Sequence, residues 1–272
     1  MLRKLVTVWD PHMLAGFTPP FTPSGRSSLV AIPPWHYAGT IFSLRFPVNP
    51  VAAQALLPGG FGEATGAACG HFCEWQATTD GAELLDPVYA QYKEFFVLIE
   101  ARRKNEPSAL ALYCPFIWVD QDIAMVRGLL QGWPKKIGSV WMTRSYDLQH
   151  PASARRVAGT RLGASLSVKD RRLADLELTV TGKQGNRVGF LATPTYGLLA
   201  TPSIVGRPGP GPLRLLRSEA TNIQYGPLAH ATGALRVFES PREELHLLAP
   251  TGPIEASIGE FALSVLGAKE AA

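Results

Sequence analysis

Apolar and polar positions alternate with period two through most of this chain, in runs separated by proline, glycine and short charged turns, and that spacing predicts strands. From Gly39 to Phe46, Ile41, Ser43 and Arg45 fall on one face and Phe42, Leu44 and Phe46 on the other. Gln91 to Glu100 is a second strand, with Glu94 on the face of Tyr92, Phe96 and Leu98. Further strands are predicted at 109–114, 164–168, 173–181, 223–225, 234–238 and 254–265. The last of these places Glu260 in a row with Ile254, Ala256, Ile258 and Ala262. Helical signals are fewer. Asn49 caps a short helix with Pro50 in its first turn and Pro58 ending it. Asp120 to Gln131 reads as a helix with Asp120 as N-cap, Gly132 at the exit and Pro134 preventing continuation. The chain then restarts as a strand from Lys135 to Met142, so Lys135 and Lys136 point to opposite faces. The pattern predicts an α+β, mainly β fold, a barrel-like or cone-like domain with a few short helices.

Composition narrows the class. Hydrophobic residues make up 46% and charged residues 18% of 272 residues, and no stretch separates two cores, so one domain over 1–272 is expected. Its first 32 residues, rich in Pro, Gly, Ser and Thr around Phe17 and Phe21, read as an irregular arm, one suited to covering a neighbouring subunit in a homo-oligomer. A net charge of +4 without basic blocks argues against nucleic acid as a partner. No segment is long and apolar enough for a membrane helix, and Asp10-Pro11-His12 interrupts a signal-like start from Met1 to Trp9. Three cysteines fit a reducing compartment, by default the cytoplasm. Cys69, His71 and Cys73 alternate along one strand face, but three consecutive same-face residues rarely converge on one ion, so no metal is expected.

The chemistry concentrates at Gly132-Trp133-Pro134-Lys135-Lys136-Ile137-Gly138. A lysine taken out of water loses its preference for the charged form, its pKa falling by roughly 3–5 units when fully buried. The neutral amine attacks a ketone, and the resulting protonated imine accepts electrons from a breaking neighbouring bond. On this account Lys135→Met stabilises the fold while abolishing activity, and Lys136→Gln keeps much of it. Arg127 and Gln131 lie one helical turn apart, eight and four residues before Lys135. Glu94 and Glu260, carboxyls in apolar rows, are candidates for proton transfer.

The Gly-x-Pro-Lys-Lys-x-Gly motif after an apolar helix resembles the acetoacetate decarboxylase superfamily, and the similarity runs from about Pro33 to the last strand. The resemblance implies an antiparallel β-barrel or cone-like fold, Lys135 as the Schiff-base residue, and Tyr92-x-Glu94 as the strand whose glutamate lies close to it. It implies a substrate-contacting arginine near the end of the first strand, for which Arg45 is the candidate two residues before the aligned position. The Arg127/Gln131 spacing resembles the branch that binds pyruvate and performs aldol or dehydration chemistry, and members of that branch carry a tyrosine or glutamate near Glu260. No cofactor is implied, since the imine is the electron sink. Three functions stay open: a pyruvate-type aldolase or dehydratase that also takes an aldehyde, a β-keto acid decarboxylase, and a silent binder of carbonyl metabolites.

Overall fold

The computed structural model describes residues 14–206 and 208–271, so the signal-like start and the first part of the arm lie outside the described residues. In chain order the elements are β1 (Trp35–Pro47), α1 (Pro50–Ala55), β2 (Phe61–Thr78), α2 (Pro87–Ala90), β3 (Gln91–Arg103), β4 (Leu110–Val119), α3 (Asp122–Leu130), β5 (Lys135–Ile137), β6 (Ser139–Met142), β7 (Arg161–Val168), β8 (Arg171–Gln184), β9 (Thr195–Ala200), β10 (Leu213–Tyr225), β11 (Ala229–Val237) and β12 (Ile254–Glu270). The Asn49 carboxamide accepts from the amides of Val51 and Ala52, which fixes the start of α1 as its sequence predicts. Lys169 and Asp170, both at positive φ, close β7 onto β8 as a tight hairpin.

The strands form one sheet in the order β1-β2-β3-β4-β9-β10-β12-β11-β8-β7-β6, and β1 also pairs with β12. That extra pairing closes seven strands into a ring, from which β11, β8, β7 and β6 continue as a second layer. The ring is mainly antiparallel, but β4 forks into two short parallel seams: Leu112 and Tyr113 pair with β9, and Ile117 to Val119 pair with β5. The single uninterrupted strand expected from Lys135 to Met142 is two strands, divided at Gly138, where an added Cβ would come within 3.1 Å of the side chains of Leu166 and Trp118.

Along β3, β4 and the middle of β1 and β2 both faces are buried, so those stretches lack a solvent-facing polar alternate, whereas β10 is largely exposed. Phe42, Leu44 and Phe46 pack outward with Phe72, Phe95 and Trp118 against Leu166, Leu173 and Leu176 of the second layer. Ile41 packs inward with Tyr92, Phe96, Leu98, Ile117 and Phe261. The arm is irregular, as expected, but its end is docked: Val30 is buried with Trp35, Ile123 and Val265, while Phe17 and Phe21 remain exposed.

Candidate active site

Helix α3 begins one residue later than the sequence suggests. Asp120 is drawn away from the capping role by β3, its carboxylate accepting from the Lys93 amide at 2.6 Å and the Lys93 ammonium at 3.3 Å, and Gln121 occupies the N-cap position. The exit is as predicted. Gly132 adopts φ +81° and packs against β9 so closely that a Cβ there would lie 2.9 Å from the Leu199 nitrogen. Gly197 reciprocates, since a Cβ on it would lie 2.5 Å from the Gly132 carbonyl oxygen. After this crossing, Pro134 turns the chain into β5, and pairing of Lys135 with Ile117 aims the lysine into the ring.

Lys135 and Lys136 do face apart. Lys135 is directed inward, with Nζ donating to Glu94 Oε2 at 2.9 Å, and the two side chains are only 9% and 8% exposed. Lys136 is half exposed, paired with Glu243 and lying 5.3 Å from the Trp118 ring centroid. The sequence suggested an amine among apolar neighbours; the structure gives it an acid partner, and this bears on the expected effect of Lys135→Met. Trp75 Nε1 donates to Glu94 Oε1 at 2.7 Å, so each carboxylate oxygen has a donor and the carboxyl plane is fixed. Tyr92 closes the other side, its ring centroid 5.4 Å from Lys135 Nζ. Burial, and next the Glu94 charge, push the Tyr92 phenol well above its usual pKa.

These groups line a cavity of about 540 Å³ together with Tyr37, Phe96, Ile117, Gln131, Trp133, Phe190, Ser218 and Tyr225. Gln131 donates from Nε2 to the Arg127 carbonyl and accepts from Ser218 Oγ. Arg127 is buried but sits one layer behind the lining, beside Tyr37, whose phenol is raised by burial and lowered in part by the Arg127 charge. Its Nη2 is 3.8 Å from Glu83, beyond hydrogen-bond reach, and its Nε and Nη1 have no partner.

Two sequence candidates lie elsewhere. Arg45 shares the inward face of β1 with Tyr37 and Ile41, but eight residues of strand, about 26 Å, separate it from Tyr37. At that far end it forms an ion pair with Glu100 at 3.2 Å. Glu260 has the opposite parity from Phe261, Leu263 and Val265, so it points out of the ring. There it is exposed, pairs with Arg156 and borders an outer polar groove.

Gly128 went unnoticed in the sequence. An added Cβ would fall 2.3 Å from Lys135 Cδ and 2.5 Å from its Cε, so the missing side chain is the seat of the lysine stem. Its signal was a glycine inside a helix, which costs about 1 kcal/mol relative to alanine and calls for a packing reason. Trp75 as the second donor to Glu94 had no local signal, because it arises from the β2–β3 register that sets Trp75 opposite Tyr92.

The cysteine–histidine strand is apolar core. Among the described residues no three His, Cys, Asp or Glu side chains come together as a metal set. Cys69, Cys73 and Cys114 are buried free thiols, and His71 stacks on Phe96 while its Nδ1 meets Ser43 Oγ at 3.0 Å. Among those residues no helix is long and apolar enough to cross a membrane.

Comparison with known proteins identifies the family and the fold. The sequence pattern of the acetoacetate decarboxylase (ADC) family matches residues 17–271. No curated protein sequence matches the chain. Among solved structures, the enduracididine biosynthesis enzyme MppR, complexed with the condensation product of pyruvate and imidazole 4-carboxaldehyde, is 30% identical with a TM-score of 0.86, covering 94% of this chain and 96% of that one. MppR complexed with pyruvate superposes with a TM-score of 0.85 at the same identity, over 94% and 97% of the two chains. An acetoacetate decarboxylase-like enzyme from Sphingomonas wittichii RW1 shares the fold at 24% identity and a TM-score of 0.84, over 94% and 99% of the two chains. With the family pattern spanning nearly every described residue and the fold matched over the same length, the chain belongs to the acetoacetate decarboxylase family.

Proposed function

We propose that this protein is a cofactor-independent lyase that binds a small keto acid as a Schiff base on Lys135 and carries out pyruvate-type aldol and dehydration chemistry. The observation that carries the reading is the Lys135–Glu94 pair, 2.9 Å apart at the buried end of a cavity walled in part by aromatic rings. Glu94 takes a proton from the Lys135 ammonium, and the free amine adds to the keto carbon to give a carbinolamine. Glu94 returns the proton to the hydroxyl, which leaves as water, and an iminium results. The same carboxylate then removes a proton from the adjacent methyl carbon, leaving an enamine. Attack of the enamine carbon on an aldehyde forms the new carbon–carbon bond, the aldehyde oxygen takes the proton from Glu94, and water releases the product from the lysine.

The keto acid's carboxylate is assigned to Arg127, whose buried Nε and Nη1 are unpartnered; contact takes a rotation of the guanidinium away from Glu83 past Tyr37. A carboxylate gripped in this way is held in its charged ground state, which opposes loss as carbon dioxide and favours the aldol branch over decarboxylation. The pyruvate-bound and condensation-product-bound structures of MppR, 30% identical, support the same choice. At about 540 Å³ the cavity falls within the roughly 300–1,000 Å³ used for drug-sized ligands, which leaves room for an aldehyde beside a three-carbon acid.

The test is borohydride trapping with pyruvate and, separately, acetoacetate, followed by intact mass and peptide mapping. A reduced adduct on Lys135 that forms faster with pyruvate is expected. Faster labelling by acetoacetate transfers the assignment to decarboxylation, and no adduct with either defeats the Schiff-base reading.

A further inference from the structure

One cation of the cavity has no part in the steps above. Arg187, in the loop after β8, lines it while remaining exposed, so it stands toward the open end; Lys135 and Glu94 lie at the buried end. Arg217, on β10, pairs with Tyr196 and has the opposite parity from Ser218, so its side chain faces out of the ring. The Arg187 guanidinium carbon is 3.7 Å from the centroid of the Tyr225 ring. Tyr225 is anchored in turn, its hydroxyl donating to the Leu191 carbonyl at 2.5 Å. This platform holds the guanidinium plane without using its N–H donors.

Arg187 is in no ion pair among the described residues. Among those residues Glu94 is the one carboxylate on the cavity wall, and its oxygens are engaged by Lys135 and Trp75. The outer cavity is therefore a region of uncompensated positive charge, with the hydroxyls of Thr193, Thr195 and Ser218 on the same walls. Such a field attracts anions and disfavours cationic substrates.

We propose that the aldehyde co-substrate carries an anionic group, of the carboxylate class, remote from its carbonyl, and that Arg187 binds it. The inference rests on the Schiff-base reading above and names the class of the second substrate. The enamine carbon on Lys135 bonds to the aldehyde carbon, whose oxygen takes a proton, while the distal anion stays unchanged at Arg187.

The experiment offers pyruvate with succinic semialdehyde or with butanal, a neutral aldehyde of the same chain length, to the wild type, to Arg187→Gln and, as an outward-facing control, to Arg217→Gln. A charge-assisted contact predicts that wild-type kcat/KM for succinic semialdehyde exceeds that for butanal by about tenfold or more. That preference is expected to collapse in Arg187→Gln, mainly through KM, to persist in Arg217→Gln, and to weaken with added salt. Borohydride trapping of pyruvate alone on the wild type reports the Schiff-base reading separately. Equilibrium titration of Lys135→Ala with the two aldehydes measures recognition of the anion without turnover. Equal dissociation constants for the two, or a preference that survives in Arg187→Gln, overturn the proposal.

Discussion

At the scale of single residues, the partner of Lys135 changes what its removal does. Desolvation alone makes Lys135→Met a stabilising change, but Glu94 then keeps only the Trp75 N–H. A buried polar group that loses a partner costs about 1–3 kcal/mol. Lys135→Met is therefore expected to lower stability by that amount in urea denaturation; a gain would return the argument to desolvation. His71 makes a separate prediction about pH. Burial holds it at a pKa of about 3, below its ordinary 6.5, so the folded state keeps the neutral ring while the unfolded chain takes up a proton. Stability is then fully present above pH 6.5 and falls as the pH drops toward 3, by about 1.4 kcal/mol per unit for this one group. Denaturation at a series of pH values should show that slope in the wild type, and the difference between wild type and His71→Gln should shrink on acidification. A difference that does not change with pH sinks the assignment.

Among the elements, the junction from α3 to β5 carries the site, and α3 keeps an interior glycine for the lysine stem. Gly128→Ala improves helix propensity by about 1 kcal/mol, while its methyl occupies the space of Lys135 Cδ and Cε. Because a flexible side chain yields, the variant is expected to fold with near-native stability and to lose borohydride trapping at Lys135. Retained trapping would show that the stem has another route. This junction was legible because its signals are local: a proline, a glycine exit, and period two separating Lys135 from Lys136. The same parity argument placed Glu94 beside Tyr92 and Phe96. It failed for Arg45 and Glu260 for two different reasons. Parity gives the face of a strand but not the depth of a cavity along it, and Arg45 lies on the inward face far beyond the cavity's end. In β12, Ile254 to Ile258 pair with β11 and Phe261 onward with β10, so the outward face is covered up to Ile258 and open at Glu260. A switch of partners midway along a strand leaves no trace in alternation. Arg187 escaped for a related reason, since the ring brings its loop against Tyr225 of a distant strand.

For the whole molecule, closure of the ring is what makes a cavity out of a sheet, and the sequence supplied the strands without their circuit. The arm packs Val30 against Trp35, Ile123 and Val265 of that circuit and leaves Phe17 and Phe21 43% and 49% exposed. Those rings suit cover by a second copy of the chain, and deletion of residues 1–27 is expected to reduce the assembly size in light scattering. An unchanged size would confine the arm to its own protomer. The seam between β1 and β12 has one more consequence, for time rather than shape. His36 and Ser264 meet at 2.7 Å across 228 residues, and contacts so distant in sequence form late, because the entropy of closing the loop comes due before their reward. A nascent chain thus holds both Glu94 and Lys135 well before it can exclude water around them. Ability to trap a keto acid should emerge during refolding in step with seam formation, lagging behind the appearance of strand signal.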